Sequence, residues 1–212
     1  MAHFSVAVFS RKPEEAAGLM LPYDLRVTPG APHALFQDHP KARVDALTGR
    51  PGFWVNPQCR FDWYNVGGRW AGMLRVNGHD GAVFHVNQAR ANDCDFSCDM
   101  EKYERAKNYW NFFLYGTPIP GGERAPVLRY KPNYYLDRFG NQEQYARAQA
   151  GFHTDTFIDE DGVWHEPVRF LHTGPEHPMT EEDCARYLGE MERQLKRAVD
   201  EWLFITVCDC HI

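Results

Sequence analysis

Hydrophobic and polar positions alternate near both ends of the chain, which predicts that it begins and ends with a β-strand. In residues 3–9 the side chains of Phe4, Val6 and Val8 share one face of such a strand. Residues 203–212 show the same period of two after a long amphipathic stretch. We therefore expect these terminal strands to belong to one sheet.

The C-terminal strand separates two kinds of chemistry onto its two faces. Asp209 and His211 lie on one face, about 7 Å apart at Cα, while Cys208 and Cys210 lie on the other. A carboxylate and an imidazole side by side are typical of a metal-ligand pair or of a general base oriented by a carboxylate. The alternative is a frayed strand end with solvated polar groups.

We expect the first and last strands to pair and to bring His3 close to Asp209 and His211. These three residues are the candidate catalytic group, and Asp209 with His211 would hold a divalent metal if one is bound. We also expect simple antiparallel pairing to place His3 at the wrong end of the ladder. An offset register or a loop would then be needed to bring the chain ends together.

The remaining pattern predicts a single α+β domain over residues 1–212, with a mainly antiparallel sheet packed against two or three helices. A ferredoxin-like arrangement is one option. Predicted helices cover residues 14–20, 100–115, 143–150 and a long segment capped by Thr180 with Asp183. Predicted hairpins cover residues 70–86 and 152–166, and irregular excursions cover residues 22–60 and 116–140.

Composition narrows the function classes. Hydrophobic residues make up 43% and charged residues 25%, which is ordinary for a globular protein. The net charge of −6 disfavours general binding to nucleic acid. No apolar run is long enough to span a membrane, and residues 1–5 do not begin a signal peptide, so we expect a cytoplasmic protein with its six cysteines reduced.

A second candidate site centres on two adjacent glycines followed by arginine. Gly67 and Gly68 allow positive φ and leave backbone N–H groups free to face an anion, and Arg69 can add a bidentate fork. The alternative is a tight turn in which Arg69 pairs with Asp62. The predicted ligand-binding residues for an anion or nucleotide-like molecule are Asp62, Trp63, Tyr64, Gly67, Gly68, Arg69, Trp70 and Arg90.

A third cluster, near Arg90, contains Asp93 and Asp95. These acids could hold a hard cation, although capping of the following helix is the commoner outcome. The cysteine spacings match no strong zinc motif, and the chain has no Walker loop, G-x-G-x-x-G or G-x-S-x-G. These motifs identify no cofactor, and a divalent metal is one option.

The motif from Asn56 to Trp70, written N-P-x-x-R-F-D-W-Y-x-x-G-G-R-W, resembles a family of hypothetical proteins common in bacteriophages and bacterial genomes. The initial His-Phe strand, the segment from Asn87 to Phe96, the D-G-x-W hairpin at residues 161–164 and the final D-C-H-I are similar to that family too. The segment from Pro167 to Pro178 departs from its pattern. The resemblance implies a shared polar site at strand ends, without an activity.

Two functions are compatible with these patterns. The first is a phage-type accessory enzyme, preferably a hydrolase, that acts on a phosphate-bearing or nucleotide-like small molecule. The second is a non-catalytic protein that sequesters a host ligand or blocks a host protein, for which an acidic surface and aromatic loops are suited. Neither function requires a membrane.

Overall fold

The computed structural model of the chain describes residues 3–78, 80–122, 131–168, 170–171, 174–175 and 179–212. The strands in these ranges are β1 (His3–Ser10), β2 (Leu35–Asp38), β3 (Gly52–Val55), β4 (Trp63–Val66), β5 (Leu74–Asn77), β6 (Val83–Val86), β7 (Gln88–Arg90), β8 (Thr156–Ile158), β9 (Trp164–His165), β10 (Phe170–Leu171), β11 (Gly174–Pro175) and β12 (Phe204–His211). The α-helices are α1 (Ala16–Met20), α2 (Met100–Tyr115), α3 (Pro132–Phe139), α4 (Gln142–Ala150) and α5 (Glu181–Asp200).

The two terminal strands lie at the centre of the main sheet, whose order is β4-β12-β1-β8-β9, with β7 also paired to β12. Every pair in this sheet is antiparallel except β1 with β8. The expected single α+β domain with a mainly antiparallel sheet is therefore confirmed. Short separate hairpins are formed by β2–β3, β5–β6 and β10–β11.

The register of β1 and β12 corrects the expectation that antiparallel pairing separates His3 from His211. His3 lies directly opposite His211, and Ser5 lies opposite Asp209. Antiparallel strands place the start of one beside the end of the other, so no offset or loop is needed. The chain ends therefore meet for the simplest geometric reason.

The two faces of this sheet are buried against different helices. On one face, Phe9 and Ile205 pack with Tyr187 and Met191 of α5. On the other face, the central strands pack with α1 and Phe61, and the residues there include Val6, Val8, Met20, Ile158, Cys208 and Cys210. The predicted separation of the two thiols from Asp209 and His211 is thus confirmed. Full burial of an aliphatic or aromatic side chain such as Val6 or Phe9 contributes about 1.5–3 kcal/mol to the stability of the fold.

The helix boundaries follow their predicted caps. The Thr180 side chain accepts from the Asp183 backbone and the Asp183 carboxylate accepts from the Thr180 backbone, which is the predicted capping box of α5. Asp99 likewise caps α2. Helices α2, α3 and α4 share a smaller aromatic core that includes Trp110, Phe139 and Tyr145.

Three segments differ from the sequence-based prediction. The excursion at residues 22–60 contains the β2–β3 hairpin, and the one at 116–140 contains α3. Pro132 supplies the first turn of α3, as proline does at this position. Residues 68–70 form a 3-10 turn rather than the start of a strand, because Gly67 and Gly68 both have positive φ.

Two predicted segments are only partly covered. Residues 123–130 of the predicted excursion at 116–140, and several positions between Pro167 and Pro178, lie outside the described residues. Within the described ranges, none of the helices is both long enough and apolar enough to cross a membrane.

Candidate functional site

His3 and Asp209 form a dyad on the face of the sheet that also carries Phe9 and Ile205. The His3 Nδ1 atom lies 2.8 Å from Asp209 Oδ1. Both side chains are largely buried, at 12% and 4% exposure. An ionised carboxylate can only accept, so in the neutral ring the proton is on Nδ1 and Nε2 keeps a free lone pair.

The second oxygen of Asp209 is held by the glycine turn. The Arg69 backbone N–H donates to Asp209 Oδ2 at 3.0 Å. Gly68 has φ +51°, and a Cβ there would overlap the Asp209 Cβ and lie 2.5 Å from Oδ2. The turn therefore faces the protein's own Asp209 carboxylate through the Arg69 N–H, while the Gly67 N–H donates to the Val207 carbonyl at 2.8 Å. With two donors, the buried Asp209 side chain is compensated and fixed in one orientation.

A second histidine–aspartate pair lies beside the first. His211 Nδ1 is 2.7 Å from Asp62 Oδ1, so Asp62 partners a histidine rather than Arg69. The Trp63 ring stacks on His211 with centroids 5.1 Å apart, and the His3 ring meets His211 edge-on at 5.0 Å. The two imidazoles are therefore in direct contact, each held by its own carboxylate.

A cavity of about 770 Å³ opens in front of His3. Its walls include Ser5, Arg69, Trp70 and residues of α3, α4 and α5. His211 does not line this cavity, and neither do Asp62, Trp63 and Asp209. Of the four residues in the two histidine–aspartate pairs, only His3 therefore lines the cavity.

Three arginine side chains of the described residues line the cavity, and two of them are paired with acids. Arg60 lies 3.5 Å from Glu166, and Arg138 forms an ion pair with Asp155. The exposed Arg69 guanidinium has no hydrogen bond or ion pair to any described residue. A chain of net charge −6 thus presents a free cation at the wall of the cavity that His3 also lines, a local inversion of charge that attracts anions.

Asp155 links the sheet to α3 at the cavity wall. Its Oδ2 accepts from the Ser5 backbone at 2.7 Å and from Ser5 Oγ at 2.9 Å. The Ser5 hydroxyl in turn accepts from the Asp155 backbone at 2.9 Å. Since Arg138 belongs to α3, the same carboxylate connects this helix to the central strand.

His153 also lines the cavity. Burial, together with the charge of Arg138, lowers the pKa of His153 to about 3. Its Nδ1 is buried and has no hydrogen-bond partner among the described residues. At neutral pH this imidazole is therefore uncharged, with one nitrogen free for a ligand.

The thiols of β12 lie on the opposite face from the dyad and belong to the core. All six cysteines are free, and burial raises the pKa of Cys208 to about 12 and that of Cys210 further still. Thiols held in the protonated state are poor nucleophiles and poor metal ligands. The interpretation of Cys208 and Cys210 as apolar-like core residues is consistent with this.

Of the eight predicted ligand-binding residues, only Arg69 and Trp70 line the cavity. Tyr64 packs in the core beside Phe61, on the face of the cysteines. Arg90 stacks over the ring of Phe204, the residue at which β12 begins, whereas His211 is the residue at which β12 ends. Seven residue steps along β12 separate Phe204 from His211, about 23 Å at the rise of a strand.

Other residues of the cavity were not predicted from the sequence. Ser5 shares the alternating face of His3, which was a usable pattern. Arg138 lies in a segment that was predicted to be irregular, and Asp155 and His153 precede a short strand without any motif. Only the fold brings these three to the sheet face.

No group of three or more histidine, cysteine, aspartate or glutamate side chains in the described ranges is arranged to hold a metal ion. Asp93 and Asp95 do not converge on the site, since Asp95 pairs with Arg75 at 2.9 Å. What the dyad can do chemically is accept or donate a proton at His3 Nε2, and Arg69 supplies a cation at the wall of the same cavity.

Comparisons with known proteins add no relative: no family model matches the chain, and no curated protein or solved structure is significantly similar to it.

Proposed function

We propose that the protein is a hydrolase that acts on a phosphate-bearing or nucleotide-like small molecule. His3 is the general base or acid, Asp209 orients it, and Arg69 binds the anionic group of the substrate. The observation that carries the proposal is the His3–Asp209 bond at the wall of a cavity that also holds the unpaired Arg69.

The dyad has the features that acid–base catalysis requires. A carboxylate on Nδ1 fixes the tautomer and leaves Nε2 for the reacting atom. A positioned general base contributes about 10²–10⁴-fold to the rate of a reaction. The contact of His3 with His211 favours an auxiliary role for the second pair, which holds the first ring in place.

The charge pattern favours an anionic substrate. Arg69 is exposed at the cavity, whereas Arg60 and Arg138 are neutralised by carboxylates. A guanidinium can bind phosphate or carboxylate through two parallel hydrogen bonds. The resemblance to a phage and bacterial family is consistent with an accessory protein, which we place in the cytoplasm.

The test is turnover by the purified protein on a panel of phosphomonoesters, phosphodiesters and nucleotides. We expect release of product that falls about 10²–10⁴-fold in His3→Gln, while His39→Gln, an exposed histidine outside the cavity, leaves the rate unchanged. Equal rates for His3→Gln and the unaltered protein would overturn the catalytic role.

The second candidate function is a protein that binds an anionic ligand or a host protein without turnover. Exposed apolar side chains in and near the β2–β3 hairpin favour it, namely Leu35, Val44, Leu47 and Phe53. Saturable ligand binding that depends on Arg69, with no product from any member of the panel, would select this function over the hydrolase.

A further inference from the structure

The cavity, of about 770 Å³, is larger than a phosphate group needs, and two parts of its lining differ in chemistry. His3 and Arg69 lie on the side of the sheet and the glycine turn. A second part of the lining, contributed by α3, α4, α5 and the segment before β8, is rich in aromatic and neutral polar groups. The members of that second part include Tyr134, Phe139, Gln144, His153 and Tyr187.

Two polar atoms in this second part of the lining are buried without a partner among the described residues. Gln144 is 8% exposed, and its Nε2 donates to the Glu181 carbonyl at 3.3 Å, but its Oε1 accepts no hydrogen bond there. His153 Nδ1 is in the same condition. Leaving such an atom unpaired costs about as much as a lost hydrogen bond, so each is suited to a ligand atom.

The electrostatics of this second part suit a neutral group. His153 carries no charge at neutral pH, because its pKa is lowered to about 3. Arg138 is paired with Asp155 and does not present a free charge. An anionic group is therefore drawn to Arg69, and the neutral part of the same ligand is left to Gln144 and His153.

Aromatic rings and an adjoining cavity define the shape of that neutral part. The His153 ring meets the Tyr187 ring edge-on with centroids 5.9 Å apart, and its centroid lies 6.5 Å from that of Phe139. It also lines a second cavity of about 420 Å³, walled by apolar side chains such as Phe96, Phe152 and Leu195. Flat aromatic surfaces with a few hydrogen-bonding atoms are typical of sites for planar heteroaromatic rings.

We propose that Gln144 and His153 form a subsite for a planar heteroaromatic group, such as a nucleobase, in a ligand whose phosphate lies at Arg69. This subsite rests on the proposed function and defines its substrate class: a nucleoside monophosphate or a similar aryl phosphate rather than a sugar or alkyl phosphate.

The experiment measures equilibrium binding of four probes to the full chain by calorimetry. The probes are inorganic phosphate, ribose 5-phosphate, octyl phosphate and adenosine monophosphate. We expect adenosine monophosphate to bind at least about tenfold more tightly than ribose 5-phosphate, the advantage that one or two hydrogen bonds supply. Equal affinity for these two, or affinity for octyl phosphate that matches adenosine monophosphate, would overturn the subsite.

Single substitutions separate the contribution of the subsite to ligand affinity from that of the anion site. His153→Phe and Gln144→Leu should each lower affinity for adenosine monophosphate about tenfold and leave that for ribose 5-phosphate unchanged. His85→Phe, an exposed position outside both cavities, is the control. Arg69→Ala should weaken binding of every phosphate probe.

The outcomes distinguish the two proposals. Binding of ribose 5-phosphate that depends on Arg69, without any gain from the base, overturns the subsite and leaves the anion site intact. No binding of any phosphate probe overturns both. Tight binding of adenosine monophosphate without turnover supports the subsite and rejects the hydrolase.

Discussion

His3 and Asp209 stand 206 residues apart in the chain and are joined by a hydrogen bond of 2.8 Å. The bond exists because β1 and β12 pair along their whole length, with His3 opposite His211 and Ser5 opposite Asp209. Asp209 also accepts a hydrogen bond from the glycine turn, which contacts β12 through the Gly67 N–H and the Val207 carbonyl as well. The proposed site therefore results from the pairing of the first and last strands.

Asp209→Asn tests the orienting role of the carboxylate. The amide can still accept from the Arg69 backbone, but it favours the wrong tautomer of His3. We expect turnover on the best substrate of the panel to fall about 10²–10⁴-fold, with phosphate binding retained. Asp200→Asn, a surface carboxylate paired with Lys196, is the matched control. An unchanged rate in Asp209→Asn would contradict the dyad.

Gly68→Ala tests the close approach of the turn to Asp209. The new Cβ would overlap the carboxylate and would be strained at φ +51°. We expect a loss of about 2–4 kcal/mol in the free energy of unfolding, measured by urea denaturation. Gly49→Ala has a similar φ of +68° with nothing within 4 Å, so it isolates the backbone term. Equal losses in both variants would show that the contact with Asp209 is unimportant.

The depressed pKa of His153 predicts a pH dependence of stability. In the unfolded chain this imidazole takes up a proton near pH 6.5, whereas in the fold it does so only near pH 3. Between these values the unfolded state binds more protons, so stability falls as pH falls, by at most about 1.4 kcal/mol per pH unit. Urea denaturation at pH 7, 6 and 5 should show a shallower decline in His153→Phe. A parallel decline would mean that His153 titrates normally in the fold.

The link from Ser5 through Asp155 to Arg138 predicts a structural role for this carboxylate. Asp155→Ala removes the acceptor of two Ser5 bonds and the partner of Arg138. We expect a loss of about 2–4 kcal/mol in the free energy of unfolding and faster amide exchange in α3. Asp137→Ala, an exposed acid on the same helix, should change neither quantity. Exchange in α3 that matches the unaltered protein would contradict the link.

The sequence predicted the parts of the fold that depend on local pattern. The alternation in β12 separated Asp209 and His211 from Cys208 and Cys210, and the capping box located the start of α5. Short or irregular elements such as β4 and α3 were missed, since four to eight residues carry little periodicity.

The site was predicted only in part, for a reason of topology. The sequence predicted that the terminal strands bring His3 close to Asp209 and His211, but it did not predict the register that does so or the contact of the Arg69 backbone with Asp209. It assigned Asp62 to Arg69 as one alternative, whereas Asp62 partners His211. Asp155, Arg138 and His153 carry no motif, and they reach the cavity through the ion pair of Arg138 with Asp155 and the packing of α5 on the sheet.

The most direct test of the central claim is a titration of inorganic phosphate into ¹⁵N-labelled protein, followed by NMR of the His3 ring and the Arg69 side chain. We predict that both sets of resonances shift together and saturate, and that Arg69→Ala abolishes the shift at His3. Arg43→Ala, an exposed arginine away from the cavity, should leave it intact. Resonances of His3 and Arg69 that stay in place throughout the titration would contradict a shared anion-binding, acid–base site.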